Sequence, residues 1–348
     1  MPPHRHAALL GRSAWRHLAA VSLASGTLAA QAPNRSASDS LDSLIRTAEA
    51  HHFRGALGEA HAALATADSM AKRRSEPTAL ARVWVTWAGI WISQTTATNA
   101  GYLEADSSAA RALRYAEQAR DPGLIADATE LRGRALYSRK INLDEGDYDR
   151  PLAHFNRALE LRKAAGDTGG VVESMFRVGL IHERKDESEQ AVAMYEAAMR
   201  LAGDAYPLER SNLARHLAYQ RQAQGDLDLA LKWFLESLEL RDRAGFMLTR
   251  PSALTSIADV YRHKGDYDRA LTYGRRAMEE AERLGASRFV VGALISLGQT
   301  YVAAGDGSRA LEQLRRADSL AASIGYVSGV QRARAEQSKL TGADAGRY

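Results

Sequence analysis

Alanine stands at Ala191, Ala230, Ala270 and Ala310, in steps of 39, 40 and 40 residues, and similar neighbours surround it each time. A small residue (Gly179, Ala218, Ala258, Gly298) comes twelve residues earlier. Three further on is Tyr261 or Tyr301, or His182 or Arg221 in the more divergent copies. Gly225-Asp226, Gly265-Asp266 and Gly305-Asp306 follow, with Asp186-Glu187 in the earliest of the four. Going backwards, Gly146-Asp147 puts Pro151 in the alanine column 40 residues before Ala191. A chain with such a period folds as a stack of like units, each burying its apolar face against its neighbours.

Each unit reads as two amphipathic helices joined by a tight turn. Leu254, Ile257, Ala258 and Tyr261 recur at i, i+3, i+4 and i+7, the stripe of a helix with one buried face. Gly265 ends that helix in the left-handed conformation that glycine adopts cheaply, and Asp266 or Asp268 caps the next. Ala270 and Ala277, seven apart, let the paired helices approach closely, and glycines near 166, 203, 245, 285 and 325 close each pair. Composition agrees: 8 Pro and 7% aromatic residues suit an all-β protein poorly, whereas alanine and leucine favour helix. With no Cys, a disulfide framework, a thiol nucleophile and a thiolate metal site are excluded.

These columns resemble the tetratricopeptide repeat, in its longer variety of about forty residues, strongly over 146–325 and more loosely over 39–145. The resemblance implies an all-α fold: an α-solenoid, a right-handed superhelix of about seven helix-turn-helix repeats over 39–340, with a capping helix. Upstream, Ala48, His51, Gly55, Ala60, Leu64 and Ala67 fit a first unit. Helices 78–97 and 103–120 form a second, and 123–140 with 149–165 a third. The turn between Arg139 and Glu145 is longer than the others, and Asp186 replaces a turn glycine where φ is positive. Residues 327–340 read as a solubilising end helix with Arg332, Arg334, Glu336 and Lys339 outward, and 341–348 as a flexible tail.

The first forty residues stand apart. Arg5, Arg12 and Arg16 precede an apolar run from Leu18 to Ala30, and Ala30-Gln31-Ala32 has the small-x-small form of a cleavage site. Residues 1–32 therefore read as a secretory signal cut near Ala30 or Ala32, too short for the about 20 residues of a membrane span. Residues 33–38 are a polar leader, and Asp39 or Ser40 caps a helix starting near Leu41. Losing three arginines and no acid takes the net charge from +4 to +1, which removes the support for whole-protein attraction to nucleic acid. The expected location is periplasmic or secreted, without stable membrane insertion.

No catalytic motif survives inspection. Ser69-Met-Ala-Lys72 matches Ser-x-x-Lys, but no Ser-Asp-Asn or Lys-Thr-Gly accompanies it, and it falls mid-helix. The histidines (His51, His52, His182, His216, His263) are scattered across the repeats, with no His-Glu-x-x-His; Gly166 to Gly170 lacks the Lys of a phosphate loop. The expectation is no catalytic residue, no metal and no cofactor. Trp84, Trp87 and Trp91, at i, i+3 and i+7, read as packing between repeats; an aromatic ligand anchor needs at least one ring exposed.

The resemblance implies that the first helix of each pair lines a concave groove that takes a peptide or protein partner. Polar residues on those helices are Arg177, Arg184, Arg215, Tyr219, Gln222, Asp259, Arg262, His263 and Gln299. Four arginines from three successive repeats suit carboxylates, so the groove is expected to prefer an acidic segment or a chain terminus; solvated helix faces are the plain alternative. The two-carboxylate clamp of chaperone-docking members is missing, since Phe176, Leu180, Gly292 and Ser296 fall in or near its places. Two functions stay open: an exported scaffold, or a sensor array acting with an effector on another chain.

Overall fold

The computed structural model describes residues 37–344, which form fifteen α-helices and, among the described residues, no strand. Seven antiparallel pairs follow in order: α1 (Ala37–Phe53) with α2 (Leu57–Arg74), α3 (Pro77–Thr98) with α4 (Tyr102–Ala119), and α5 (Pro122–Leu143) with α6 (Asp149–Ala164). Then come α7 (Thr168–Arg184) with α8 (Ser188–Ala202), α9 (Pro207–Ala223) with α10 (Leu227–Ala244), α11 (Arg250–His263) with α12 (Tyr267–Arg283), and α13 (Ser287–Ala303) with α14 (Gly307–Ser323). A last helix, α15 (Val327–Asp344), covers the final pair. The architecture is the expected α-solenoid.

The turn chemistry explains the helix ends. Gly225, Gly265 and Gly305 take φ of 83°, 78° and 81°, and the Asp after each accepts a hydrogen bond from the backbone N–H three residues on. Asp186 takes the same left-handed conformation (φ 61°), and Glu187 makes no cap. Proline opens α3, α5, α9 and α11 in the first turn, where its missing N–H costs nothing. The alanine column is fully buried at all four positions. The small-residue column lies where the two helices of a pair touch: a Cβ on Gly179 would come within 2.7 Å of the Tyr195 ring, and one on Gly298 within 2.7 Å of Leu314.

Three local expectations are corrected. Asp39 and Ser40 lie inside α1, which starts by Ala37, so neither caps it. The long turn of the third repeat sits at 144–148, because α5 runs on to Leu143 and stops at Asp144 in the left-handed conformation. The end helix continues to Asp344, past the expected start of the tail. The signal segment, both cleavage positions and most of the leader lie outside the described residues.

The superhelix is tight enough for its ends to meet. α3 packs on α13 and α15 on α5, so each of these repeats rests on the one five further along. The α1–α2 turn joins the same seam. The Met247 N–H donates to the Phe53 carbonyl at 2.8 Å, and the Phe53 and Phe246 rings meet edge to face at 5.1 Å. Ala97 and Leu57 share one apolar cluster with Leu248, Ala286, Val290 and Leu294. A chain built from local helix pairs thereby acquires a long-range contact that buries further apolar surface.

Candidate functional site

The inner helices surround a cavity of about 500 Å³, within the ordinary range of ligand pockets. Its wall takes residues from α3, α5, α7, α9, α11 and α13, the first helices of six consecutive pairs, and from the end helix α15, with Phe155 of α6 and Tyr326 before α15 as additions. This arrangement follows from the pairing. Second helices turn their alanines onto the first helices, and the first helices present their remaining face to the axis.

Of the residues singled out from the sequence, Arg177, Arg184, Arg215, Tyr219 and Asp259 line this one cavity. Gln222, Arg262 and Gln299 do not. Gln222 bonds His263 at 3.2 Å and Arg262 pairs with Asp259 at 3.6 Å, both near the C-terminal ends of their helices. Gln299 donates to Glu336 of α15 at 3.0 Å. Arg332 is exposed, as expected of the outer face of the end helix, and it also lines the cavity, because α15 packs on α5. Arg134 and Arg288 complete the set and were not anticipated.

Six arginines therefore share the wall with one carboxylate, Asp259. Two of them are balanced from behind. Glu173 pairs with Arg134 at 3.6 Å and Arg177 at 3.3 Å, while Glu130 pairs with Arg177 at 3.8 Å and with buried Arg162. Asp127 joins Arg162 at 2.8 Å, so three acids meet three guanidiniums in that layer. The other four differ. Arg184 donates to the Tyr137 hydroxyl at 3.0 Å, Arg215 lies over Tyr219 and Arg288 over Tyr326. Neither these three nor Arg332 has a carboxylate within 4.0 Å among the described residues. Asp259 accepts from Ser296 at 2.7 Å, and burial raises its pKa.

A buried relay supports the wall. Glu183 accepts from the Tyr195 hydroxyl at 2.9 Å and from His216 Nδ1 at 2.8 Å. Burial alone would raise the Glu183 pKa, but these bonds hold it near 2. Burial, then neighbouring Arg215, lowers His216 to about 4. At neutral pH His216 is accordingly an uncharged imidazole with its proton on Nδ1, and it adds no charge to the cavity.

The tryptophans stand elsewhere. Trp84 and Trp87 stack at 4.8 Å, and the Trp87 indole donates to His61 Nδ1 at 2.8 Å. His61 lies 4.1 Å from the Trp91 ring and bonds Gln94, which fixes its remaining proton on Nε2. All three rings pack among α2, α3 and α4, away from the cavity. Ser69 bonds the Ala65 carbonyl and Lys72 pairs with Asp68, as ordinary helix-surface groups do. No group of three or more metal-ligating side chains occurs among the described residues, and none of their helices is long and apolar enough to cross a membrane.

Residues 172–204 and 249–321 each match a family model of the tetratricopeptide repeat. The chain carries tetratricopeptide repeats. Solved structures of the same fold include BtubC from P. vanneervenii, at 20% identity and TM-score 0.52, with 65% of this chain and 93% of that chain covered. A Rap protein complexed with Competence and Sporulation Factor aligns at 12% identity and TM-score 0.55, covering 91% and 90%. Aspartyl phosphate phosphatase F from Bacillus subtilis aligns at 14% and TM-score 0.52, covering 92% and 84%. At such identities the likeness of the tetratricopeptide array to these proteins concerns the fold. No curated protein matches the chain.

Proposed function

We propose that this protein is a non-enzymatic interaction scaffold, exported from the cytoplasm, that takes an acidic segment of a peptide or protein partner into its central cavity. The observation that carries the reading is the set Arg184, Arg215, Arg288 and Arg332, which share one cavity, with Asp259 as its one lining carboxylate, and form no ion pair within 4.0 Å among the described residues. Guanidiniums bind carboxylates in a planar, two-bond fork. Lining tyrosines and serines supply further donors, and half-buried Phe289 offers apolar surface for the partner's side chains. Export rests on the sequence of residues 1–32 alone. A second reading, a sensor array acting with an effector on another chain, is favoured by the contact between early and late repeats, α3 on α13 and α5 on α15, which ties the cavity to the shape of the whole molecule.

Fluorescence anisotropy with labelled hexaglutamate and hexalysine tests the first reading. Hexaglutamate should bind, more weakly as salt rises, and hexalysine should not. Arg184→Glu with Arg215→Glu should cost at least tenfold in affinity. Equal binding of both peptides, or unchanged affinity in the variant, would overturn it. Export is tested by osmotic shock: the mature protein should appear in the released fraction with Gln31 or Pro33 at its N-terminus.

A further inference from the structure

We propose that anion occupancy of the cavity sets the pitch of the superhelix, by offsetting a charge repulsion that otherwise pushes the seam between early and late repeats open. The inference rests on the anionic reading of the cavity and adds how that site is coupled to the fold.

The seam runs through the cavity wall. Ile92 and Thr96 of α3 line the cavity on one side of it, and Phe289 and Gly292 of α13 line it on the other, where α3 and α13 pack together. The wall is therefore complete only while the seam is shut. Shutting it also gathers like charge. Arg288 and Arg332 belong to α13 and α15. The seam brings α15 against α5, whose Tyr137 holds Arg184. Like charges gathered around one cavity repel, and against the six arginines of the wall stands a single lining carboxylate, Asp259, whose charge already acts on Arg332. An anionic segment between them turns the repulsion into attraction on both sides of the seam.

What holds the seam shut is modest compared with the continuous core between successive repeats. It includes the packing of α3 on α13 and of α15 on α5, the Phe53–Met247 backbone bond, the Asn99–Ile324 bond, the contacts of Phe246 with Phe53 and His52, and the apolar patch around Leu57 and Leu284. Leu284 sits directly on the α1–α2 turn, where a Cβ on Gly55 would come within 2.6 Å of it. A ligand shifts an equilibrium by its difference in affinity for the two forms, and here only the shut form presents both arginine pairs to one ligand.

The test uses the natural absence of cysteine. Arg54→Cys and Arg283→Cys, both at exposed positions flanking the seam, carry spin labels for a pulsed dipolar distance measurement on the full chain. Three results are expected. The unliganded protein shows a long-distance component, saturating hexaglutamate removes it, and Arg215→Gln with Arg288→Gln removes it without peptide. Circular dichroism confirms that each variant is folded. Identical distance distributions in all three states, or a change with neither peptide nor charge removal, would overturn the coupling. Should anisotropy show that hexaglutamate does not bind, the reading of the cavity falls by itself, and the charge-neutralised variant still decides the coupling.

Discussion

The side-chain amide of Asn99 donates to the backbone carbonyl of Ile324 at 3.1 Å, across 225 residues of chain. Asn99 ends α3 with φ 64°, a left-handed conformation that asparagine tolerates better than most side chains. Its amide oxygen accepts from the Tyr102 hydroxyl at 2.8 Å. One residue thus caps a helix, receives its neighbour and clasps the seventh repeat. Asn99→Ala should cost about 1–3 kcal/mol, from two lost hydrogen bonds and the left-handed strain. Asn99→Gly should cost less, because it keeps the backbone conformation. Urea denaturation of both variants checks the order, and an alanine variant no worse than the glycine one would refute this account of the position.

Asp186 is the converse case, a position where the repeat pattern asks for glycine. Its φ of 61° matches the conformation that Gly225, Gly265 and Gly305 adopt in the same turn. Asp186→Gly should stabilise the protein by about 0.5–1 kcal/mol, the relief of left-handed strain less the extra entropy of an unfolded glycine. The urea midpoint should rise with an unchanged slope.

Two glycines on inner helices should respond with opposite sign. A Cβ at Gly179 meets the Tyr195 ring at 2.7 Å, and that ring is held by its bond to Glu183. Gly179→Ala should therefore destabilise by about 1–3 kcal/mol through overpacking. A Cβ at Gly292 meets nothing within 4 Å. Gly292→Ala should gain up to about 1 kcal/mol from helix propensity. Thermal unfolding of the pair checks the contrast.

His216 gives the stability a pH slope of known direction. Its folded pKa is about 4 against 6.5 for a free histidine, so below 6.5 the unfolded chain takes up a proton that the folded chain refuses. Stability from this group falls as the pH drops from 6.5 towards 4 and levels off below. Glu183, held near 2, adds a loss as the pH falls below 4.5. Glu49, raised to about 8 by burial, acts oppositely and loses stability as the pH rises from 4.5. The difference between variants isolates the histidine. His216→Gln keeps a donor for Glu183 without titrating, and its loss between pH 6.5 and 4.5 should be about 2 kcal/mol smaller than in the natural protein. Equal losses in urea titrations at the two pH values would contradict this.

Which parts were legible in the sequence follows from which forces are local. The turn glycines, the Asp caps and the alanine column act within one helix pair, so the period at Ala191, Ala230, Ala270 and Ala310 carried them. Inner-face residues of the middle repeats, such as Arg215 and Tyr219, were readable for the same reason. The rest depends on the closing of the superhelix, which sums small rotations over many units and leaves no mark in any single repeat. That exposed Arg332 also lines the cavity was not legible, because contact between α15 and α5 has no counterpart inside a repeat. Arg134 lay in a looser repeat, whose columns were too degraded to assign a face. One signal was present and unused. Arg162 and Arg241 occupy the column that holds Ala202, Ala281 and Ala321 elsewhere, and both are nearly fully buried. A charge in a column of buried alanines marks a polar network, here the layer behind Arg134 and Arg177 and the bonds of Arg241 to Thr249 and Asn212.

The most direct measurement is a crystal structure of residues 33–348 grown with hexaglutamate. Peptide density should lie in the central cavity, with carboxylates on at least two of Arg184, Arg215, Arg288 and Arg332, and the α3–α13 seam should be shut around it. Peptide bound only on the outer helices, or a cavity left empty at saturating peptide, would contradict the account.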